Sequence, residues 1–455
     1  MRSRCLLALC TALPACTALA QHQVIVLHDR LFDQSATAAS TQALGMGRIP
    51  ASGFAPAYRW IVGLANSGTQ INAAGWSPSA GAFGASQGTP TGYSSSSYQE
   101  TGGLADVGSA VLAGGVRHAL LNSGAPVSLH PVSGWEWTTA WGIGGSGQVG
   151  WGMPTGGAIQ ALLWSGTAAS MVNLHPAGFK TSQAYAASGT DQVGEGVINF
   201  APRALRWTGS AASAQNLTPA GYKGAGLRAT TGSLLGGFVI PKTGGRQAAV
   251  WTVSPAAVAV VHPTGYQNSI IWDMDGTAKA GHGKDSSGLL HALLWLGGIN
   301  TMYDLNPTLP AGYTDALAYG VDAEGNVAGQ AKHFSGKWHA IYWAADRLLS
   351  NLVPGSLSNV VATPYAGSLT FSFTEWSLAG ELLQFEINRV SLANYPTGQP
   401  VPTNQFTNGS TAMVYDTFTQ TYSYRLESFL PNGEYTLTVT FANGWRQSFR
   451  IRKVA

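Results

Sequence analysis

Downstream of residue 16 the chain has no cysteine, because Cys5, Cys10 and Cys16 are its only three. Disulfides and thiolate metal sites are therefore excluded from the folded part, and stability must come from packing. Charge is nearly as scarce. Lys and Arg number 24 and Asp and Glu 21, together 10% of 455 residues, against roughly a quarter in ordinary globular proteins. That excludes a charged disordered tail and a nucleic-acid groove. Long apolar runs are missing too: Gly, Ser and Thr break every stretch beyond residue 20 before the roughly eighteen residues that a membrane-spanning helix needs. What is abundant is glycine (58 residues), tryptophan (15) and hydrophobic character (45%), the composition of a folded, turn-rich protein with a substantial core.

The first twenty residues carry Arg2 and Arg4, an apolar run from Cys5 to Cys16, and the small-residue exit Ala18-Leu19-Ala20 before Gln21. This reads as a secretory signal peptide over 1–20 and places the protein outside the cytoplasm, released or at the cell surface. An alternative reading takes Leu13-Pro14-Ala15-Cys16 as a lipoprotein box that leaves Cys16 lipidated, though proline fits poorly there. Cleavage after Ala20 removes two arginines and leaves a net charge of +1, which implies no charged partner.

The rest of the chain is organised by repeats. One anchor is Pro-x-Gly-aromatic, as in Pro90-Thr91-Gly92-Tyr93, Pro176-Ala177-Gly178-Phe179 and Pro310-Ala311-Gly312-Tyr313, its glycines 42 to 47 residues apart. A second is a short segment ending in Trp76, Trp164, Trp207, Trp251, Trp295 or Trp343, with a seventh copy that ends in Asn122. A third is a turn glycine at Gly108, Gly147, Gly189, Gly232, Gly276 and Gly325. Each unit of about 44 residues holds four short apolar segments and no helix, which is the pattern of a propeller blade.

The fold expected is all-β: a seven-bladed β-propeller over 21–355, six or eight blades being the alternatives. In the earliest unit Gln42-Ala43-Leu44-Gly45 matches Asp315-Ala316-Leu317-Ala318, and in the last the four strands are expected at 315–321, 326–331, 338–343 and 348–353. A surplus strand at 24–27 is expected to close the ring by covering the open edge of the last blade.

The composite unit Ala-Tyr-Gly-Val-Asp-Ala-Glu-Gly-Asn-Val-Ala-Gly, followed by His-Ala-Ile-Tyr-Trp, resembles the bacterial extracellular repeat called the HAF family over roughly residues 40–355. It departs where Gln160, Arg203 and Gln247 replace the histidine seen at His118, His291 and His339. The resemblance implies secretion and a β-rich repeat, and supplies no catalytic residues.

After Pro354 the period stops. Strand candidates at 368–373, 382–387, 411–415, 421–427, 435–441 and 447–452 read as a small C-terminal β-sandwich over 356–455. Leu430-Pro431-Asn432-Gly433-Glu434-Tyr435 resembles the closing strands of immunoglobulin-like modules appended to secreted bacterial proteins.

Chemistry is sparse. The acids that can be placed, among them Asp191, Asp273, Asp275, Asp322 and Glu324, fall at expected turns. Asp273-Met274-Asp275-Gly276 has the start of a calcium loop without its closing glutamate, making Asp273 and Asp275 weak metal candidates. The histidines recur once per unit, so they read as structural rather than as a converging ligand set. No nucleophile elbow or phosphate loop is present. Most tryptophans are repeat anchors and belong between blades. The departures are Trp272 and Trp338 and, in one unit, Glu136, Trp137, Trp141 and Trp151, which combine aromatic faces with one charge and are the foremost candidate ligand residues, unless they fill the space beside Asn122. The expectation is a monomeric, non-catalytic, cofactor-free binding or adhesion protein whose extracellular ligand is a glycan or a protein. A passive envelope component is the alternative, and a polysaccharide-acting enzyme a more remote one.

Overall fold

The computed structural model describes residues 22–28, 31, 39–49, 58–79, 82–145, 147–253, 257–296, 302–310 and 312–345, and strand segments between 363 and 453. Up to residue 345 these form seven four-stranded antiparallel sheets. Their first strands are Ser40–Ile49, Tyr93–Thr101, Trp135–Gly144, Thr181–Ser188, Gly224–Thr230, Tyr266–Asp275 and Tyr313–Val321. Each first strand touches the first strand of the sheet before and after it, and Tyr313–Val321 touches Ser40–Ile49, so the sheets close a ring around a channel. The fold is a seven-bladed β-propeller; blades are numbered 1 to 7 in that order.

The N-terminal strand does what the surplus predicted. His22–Val26 pairs antiparallel with Trp338–Ala345, from His22 opposite Ala345 to Val26 opposite Ile341, and is the fourth strand of blade 7. The fourth strand expected at 348–353 falls outside the described residues, and its place is already taken.

Two other expectations need correction. The turn glycine of blade 2 is Gly103 (φ 87°) and that of blade 3 is Gly145 (φ 59°), whereas Gly108 and Gly147 lie inside second strands. The match of Gln42-Ala43 to Asp315-Ala316 is two residues out of register, because the irregularity that follows Ala43 in blade 1 follows Ala318 in blade 7.

The Pro-x-Gly-aromatic anchor is the turn that delivers the chain from the rim to the next first strand. Tyr93 N–H bonds back to Pro90 O at 3.1 Å, and Gly92 sits at φ 89°, the left-handed position of a type II turn. The Trp anchors lie at or near the ends of the third strands and are buried between blades, Trp76, Trp164, Trp207, Trp295 and Trp343 completely. Trp76 Nε1 donates to Leu27 O, Trp251 to Leu217 O and Trp295 to Val261 O, each at 3.1 Å and each across to the preceding blade. The core thus lies in the seams: at the closure, Ile25, Leu27, Ala340 and Tyr342 of blade 7 pack on Ala43, Ile61 and Trp76 of blade 1.

The same seams explain the histidines. The amide of the alanine in each third strand finds its acceptor on a neighbouring side chain: Ala73 on Ser96, Ala119 on Thr138, Ala161 on Ser182, Ala248 on Ser269 and Ala340 on Thr41, at 2.8 to 3.0 Å. In four of these the hydroxyl is also bonded to a histidine, as in His28–Thr41, His130–Thr138, His175–Ser182 and His262–Ser269. Where that hydroxyl is lost, at Ala225 and Ala316, the histidine is lost with it, and Thr218 or Asn306 accepts the amide directly. His175 Nε2 faces Phe179 O at 3.1 Å, and a carbonyl only accepts, so Nδ1 receives the Ser182 hydroxyl proton.

In the C-terminal region, Thr363–Tyr365, Ser368–Thr374, Thr421–Leu426 and Val414–Asp416 make one sheet, and Ile387–Asn394, Gly433–Phe441 and Arg446–Lys453 another. Ile387–Asn394 lies mostly beyond the strand expected at 382–387.

Candidate functional site

Every first strand carries a β-bulge, and it falls at the same place in all seven blades. The extra residue is Leu44, Gln99, Trp141, Tyr185, Arg228, Trp272 and Tyr319 in blades 1 to 7. A bulge bends the strand and re-aims the side chain of the unpaired residue; here all seven line one cavity in the channel, of about 490 Å³.

The sequence enforces the bulge from the second strand. Opposite the residue before each bulge stands a glycine: Gly63, Gly108, Gly150, Gly194, Gly237, Gly281 or Gly329. A Cβ there would stand 1.8 to 2.1 Å from a carbonyl oxygen of the bulged strand, so only glycine admits the geometry.

The bulge residues form a continuous aromatic wall on one side of the channel. Trp141 stacks on Trp151 (centroids 4.8 Å) and meets Tyr185 edge-on at 5.8 Å; Trp272 lies 6.4 Å from Tyr185 and 5.7 Å from Tyr319. Arg228, 6% exposed, is inserted into this wall, its guanidinium 3.9 Å from the Tyr185 ring and 5.3 Å from Trp272. Its charge is matched by Glu195 at 3.0 Å, and a second N–H donates to Leu227 O at 2.9 Å. Behind the wall, Trp272 Nε1 donates to His282 Nδ1 at 3.1 Å, and burial, with Arg246 nearby, holds His282 down at about 4.

Two carboxyls occupy the position just after the bulge, Glu100 in blade 2 and Asp273 in blade 6. Glu100 Oε1 accepts the Thr101 amide at 2.8 Å, and the Met46 amide also bonds to its carboxyl. Asp273 accepts Met274 N–H through Oδ1 and Val321 N–H through Oδ2, both at 2.7 Å. Desolvation, reinforced by Asp273, pushes Glu100 well above the carboxylate range; desolvation first, then Asp275 and Asp322, raises Asp273 to about 7 despite its two amide donors. Asp275 Oδ2 accepts Ala323 N–H at 3.0 Å.

The residues singled out in the sequence therefore divide. Trp141 lines the cavity, with Trp151 packed behind it. Trp137 lies 5.9 Å from the Arg117 guanidinium, away from the cavity lining, and Glu136 Oε1 caps the Gly156 amide at 3.2 Å on the surface. The place of the missing Trp at Asn122 is met by Tyr98, whose hydroxyl accepts Asn122 Nδ2 at 2.9 Å. Asp273 is not the turn residue expected: it is in the first strand of blade 6 and faces the channel. Its oxygens and one of Asp275's are engaged by backbone amides, and no cluster of three metal-ligating side chains occurs among the described residues. Trp272, a departure noted in the sequence, lines the cavity while Trp338 is outside its lining, and Leu44, Gln99, Tyr185, Arg228 and Tyr319 were not anticipated. The signal available was positional: in five blades the bulge comes three residues after the Ser or Thr that serves the seam.

No protein-family model and no curated protein sequence matches the chain. Among solved structures, similar ones include a putative TolB from Agrobacterium tumefaciens, at 11% identity over 53% of this chain and 87% of that one, TM-score 0.36. TolB from Acinetobacter baumannii is similar at 9% identity over 63% and 80%, TM-score 0.38, and puromycin hydrolase at 11% over 80% and 58%, TM-score 0.41. Likeness this distant transfers no residue of the channel from those proteins to this one.

Proposed function

We propose that this is an exported, non-catalytic binding protein that takes its ligand into the channel cavity. The observation that carries this reading is the contrast between two positions one step apart. The residue before each bulge packs in the seam and is small or apolar in six blades, whereas the bulge residue takes no part in strand pairing and changes from Leu to Gln, Trp, Tyr and Arg around the ring. Side chains set free from strand pairing and converging on one cavity are what a binding site requires.

Export is supported by the signal-like segment 1–20, whose removal leaves the closing strand His22–Val26 intact. No helix among the described residues is long and apolar enough to cross a membrane. In this reading the chain belongs with the HAF-type extracellular repeats, and its C-terminal sheets pack as a sandwich that serves as a spacer or attachment module.

The test fills the cavity without removing any existing contact. Leu44→Trp places in blade 1 the residue that blades 3 and 6 already carry. Selective binding on a glycan and protein array, lost in Leu44→Trp with an unchanged melting temperature, supports the reading; binding that survives the plug refutes it.

A hydrolytic reading has one observation in its favour, the two carboxyls Glu100 and Asp273 on one aromatic cavity, since glycosidases work with a pair of carboxyl groups. Turnover of a polysaccharide that disappears in Glu100→Gln would establish it over binding alone.

A further inference from the structure

We propose that the channel cavity is a saccharide site, in which neutral pyranose rings stack on the aromatic wall at Trp141 and Tyr319 and hydrogen-bond to Arg228, Gln99 and Glu100. The proposal rests on the channel being the binding site and adds the chemical class of ligand.

Three features select that class. The first is the distribution of the lining. The aromatic wall spans blades 3, 4, 6 and 7, while Gln99, Glu100 and Thr101 of blade 2 face the same cavity. A pyranose has the matching asymmetry, with an apolar C–H face for the rings and hydroxyls around its edge for the polar groups.

The second is Arg228. A guanidinium has five N–H donors, and among the described residues the structure engages one on Glu195 and one on Leu227 O. Its Nε is buried, so the remaining N–H groups of the two terminal nitrogens are the donors it can offer to ligand oxygens, while its charge is already neutralised by Glu195, so it offers hydrogen bonds rather than a net positive field.

The third is Glu100. Its Oε1 accepts the Thr101 amide, the Met46 amide also bonds to the carboxyl, and the carboxyl lines the cavity. A carboxyl that keeps its proton both donates and accepts, as a hydroxyl does.

Charged ligands fit less well. The faces of Tyr185 and Trp272 that would hold an ammonium are already covered by Arg228. An anion would find no uncompensated cation among the described lining residues, since Arg228 is paired with Glu195.

The experiment titrates the intact exported chain at pH 6.5 with neutral disaccharides of glucose, galactose and mannose, a hexuronic acid disaccharide, and choline, following tryptophan emission and calorimetric heat. At least one neutral disaccharide should quench emission saturably. Its affinity should fall tenfold or more in Leu44→Trp, with Gln99→Trp as a second plug should the first not fold. Binding of choline or the uronate alone, abolished by the plug, would leave the channel reading standing and overturn the saccharide assignment. So would the absence of saturable binding by every neutral disaccharide. Neutral-sugar binding untouched by either plug would overturn the channel reading itself.

Discussion

The amide of Ala340 donates to the hydroxyl of Thr41 at 2.8 Å, a bond that spans 299 positions of sequence and joins the last blade to the first. Thr41 is fully buried and also bonded to His28 at 3.1 Å, so one side chain satisfies two groups at the seam where the ring closes. Replacing Thr41 with Ala strands a buried amide, at about 1–3 kcal/mol. Urea unfolding should show Thr41→Ala destabilised by that amount and Thr41→Ser close to the parent; equal stability of all three would show the bond to be dispensable.

The second-strand glycines should be among the least replaceable positions in the chain. In Gly194→Ala the new methyl would stand 1.9 Å from Gln183 O, and because both are backbone-fixed the strand pair must shift. A loss above about 3 kcal/mol, or an insoluble product, is expected. Gly114→Ala, with open space around it and no left-handed backbone, is the control and should change stability by less than about 0.5 kcal/mol.

Stability should peak near pH 6.5. Burial first of all lowers seven histidines, His28, His130 and His282 to about 4, His339 to about 3, and His118, His175 and His262 by direction. Their contribution is complete above 6.5 and lost as pH falls through about 4, because the unfolded chain takes up protons that the folded one refuses. Glu100, Asp106 and Asp273 act oppositely: their folded values are raised, so their contribution is present at low pH and lost as pH rises, through about 7 for Asp273. The histidines outnumber the carboxyls, so the acid side should be the steeper. A melting-temperature profile that rises on acidification from pH 6.5 to 4.5 would contradict this assignment.

Asn199 and Phe200 form a hairpin tip with φ of 51° and 60°, and Phe200 is 93% exposed. A phenylalanine gains nothing structural there beyond a Lys180 ammonium 5.5 Å from its ring, and it strains a backbone that glycine adopts freely. Phe200→Gly should raise stability by about 0.5–1 kcal/mol in urea unfolding.

The parts legible in the sequence were those that repeat in residue type. The Trp near the third-strand end, the Pro-x-Gly-aromatic turn and the histidine found at four seams recur because each meets a packing or hydrogen-bonding need that returns with every blade, and they announced blade, count and closure. The site was hidden for the complementary reason. A bulge residue is defined by where the pairing slips, not by its identity, so Leu44 and Arg228 share a role without sharing chemistry. Trp141, Trp151 and Trp272 stood out, and they did so as isolated departures from the repeat rather than as members of a ring. The glycine marker was half seen: Gly108 was read as a turn, when it is the companion of Gly150 and Gly194.

The bulges also separate two kinds of inheritance. A change at a seam residue such as Trp207 or Ala204 is felt by two blades at once, whereas a change at Gln99 or Leu44 alters only what the channel offers. Because the seven channel positions lie on seven separate stretches of chain, each can drift alone, and their combinations multiply. Descendants of this chain are therefore expected to diverge fastest at those seven positions and slowest at the glycines opposite them, exploring new ligands on an unchanged ring.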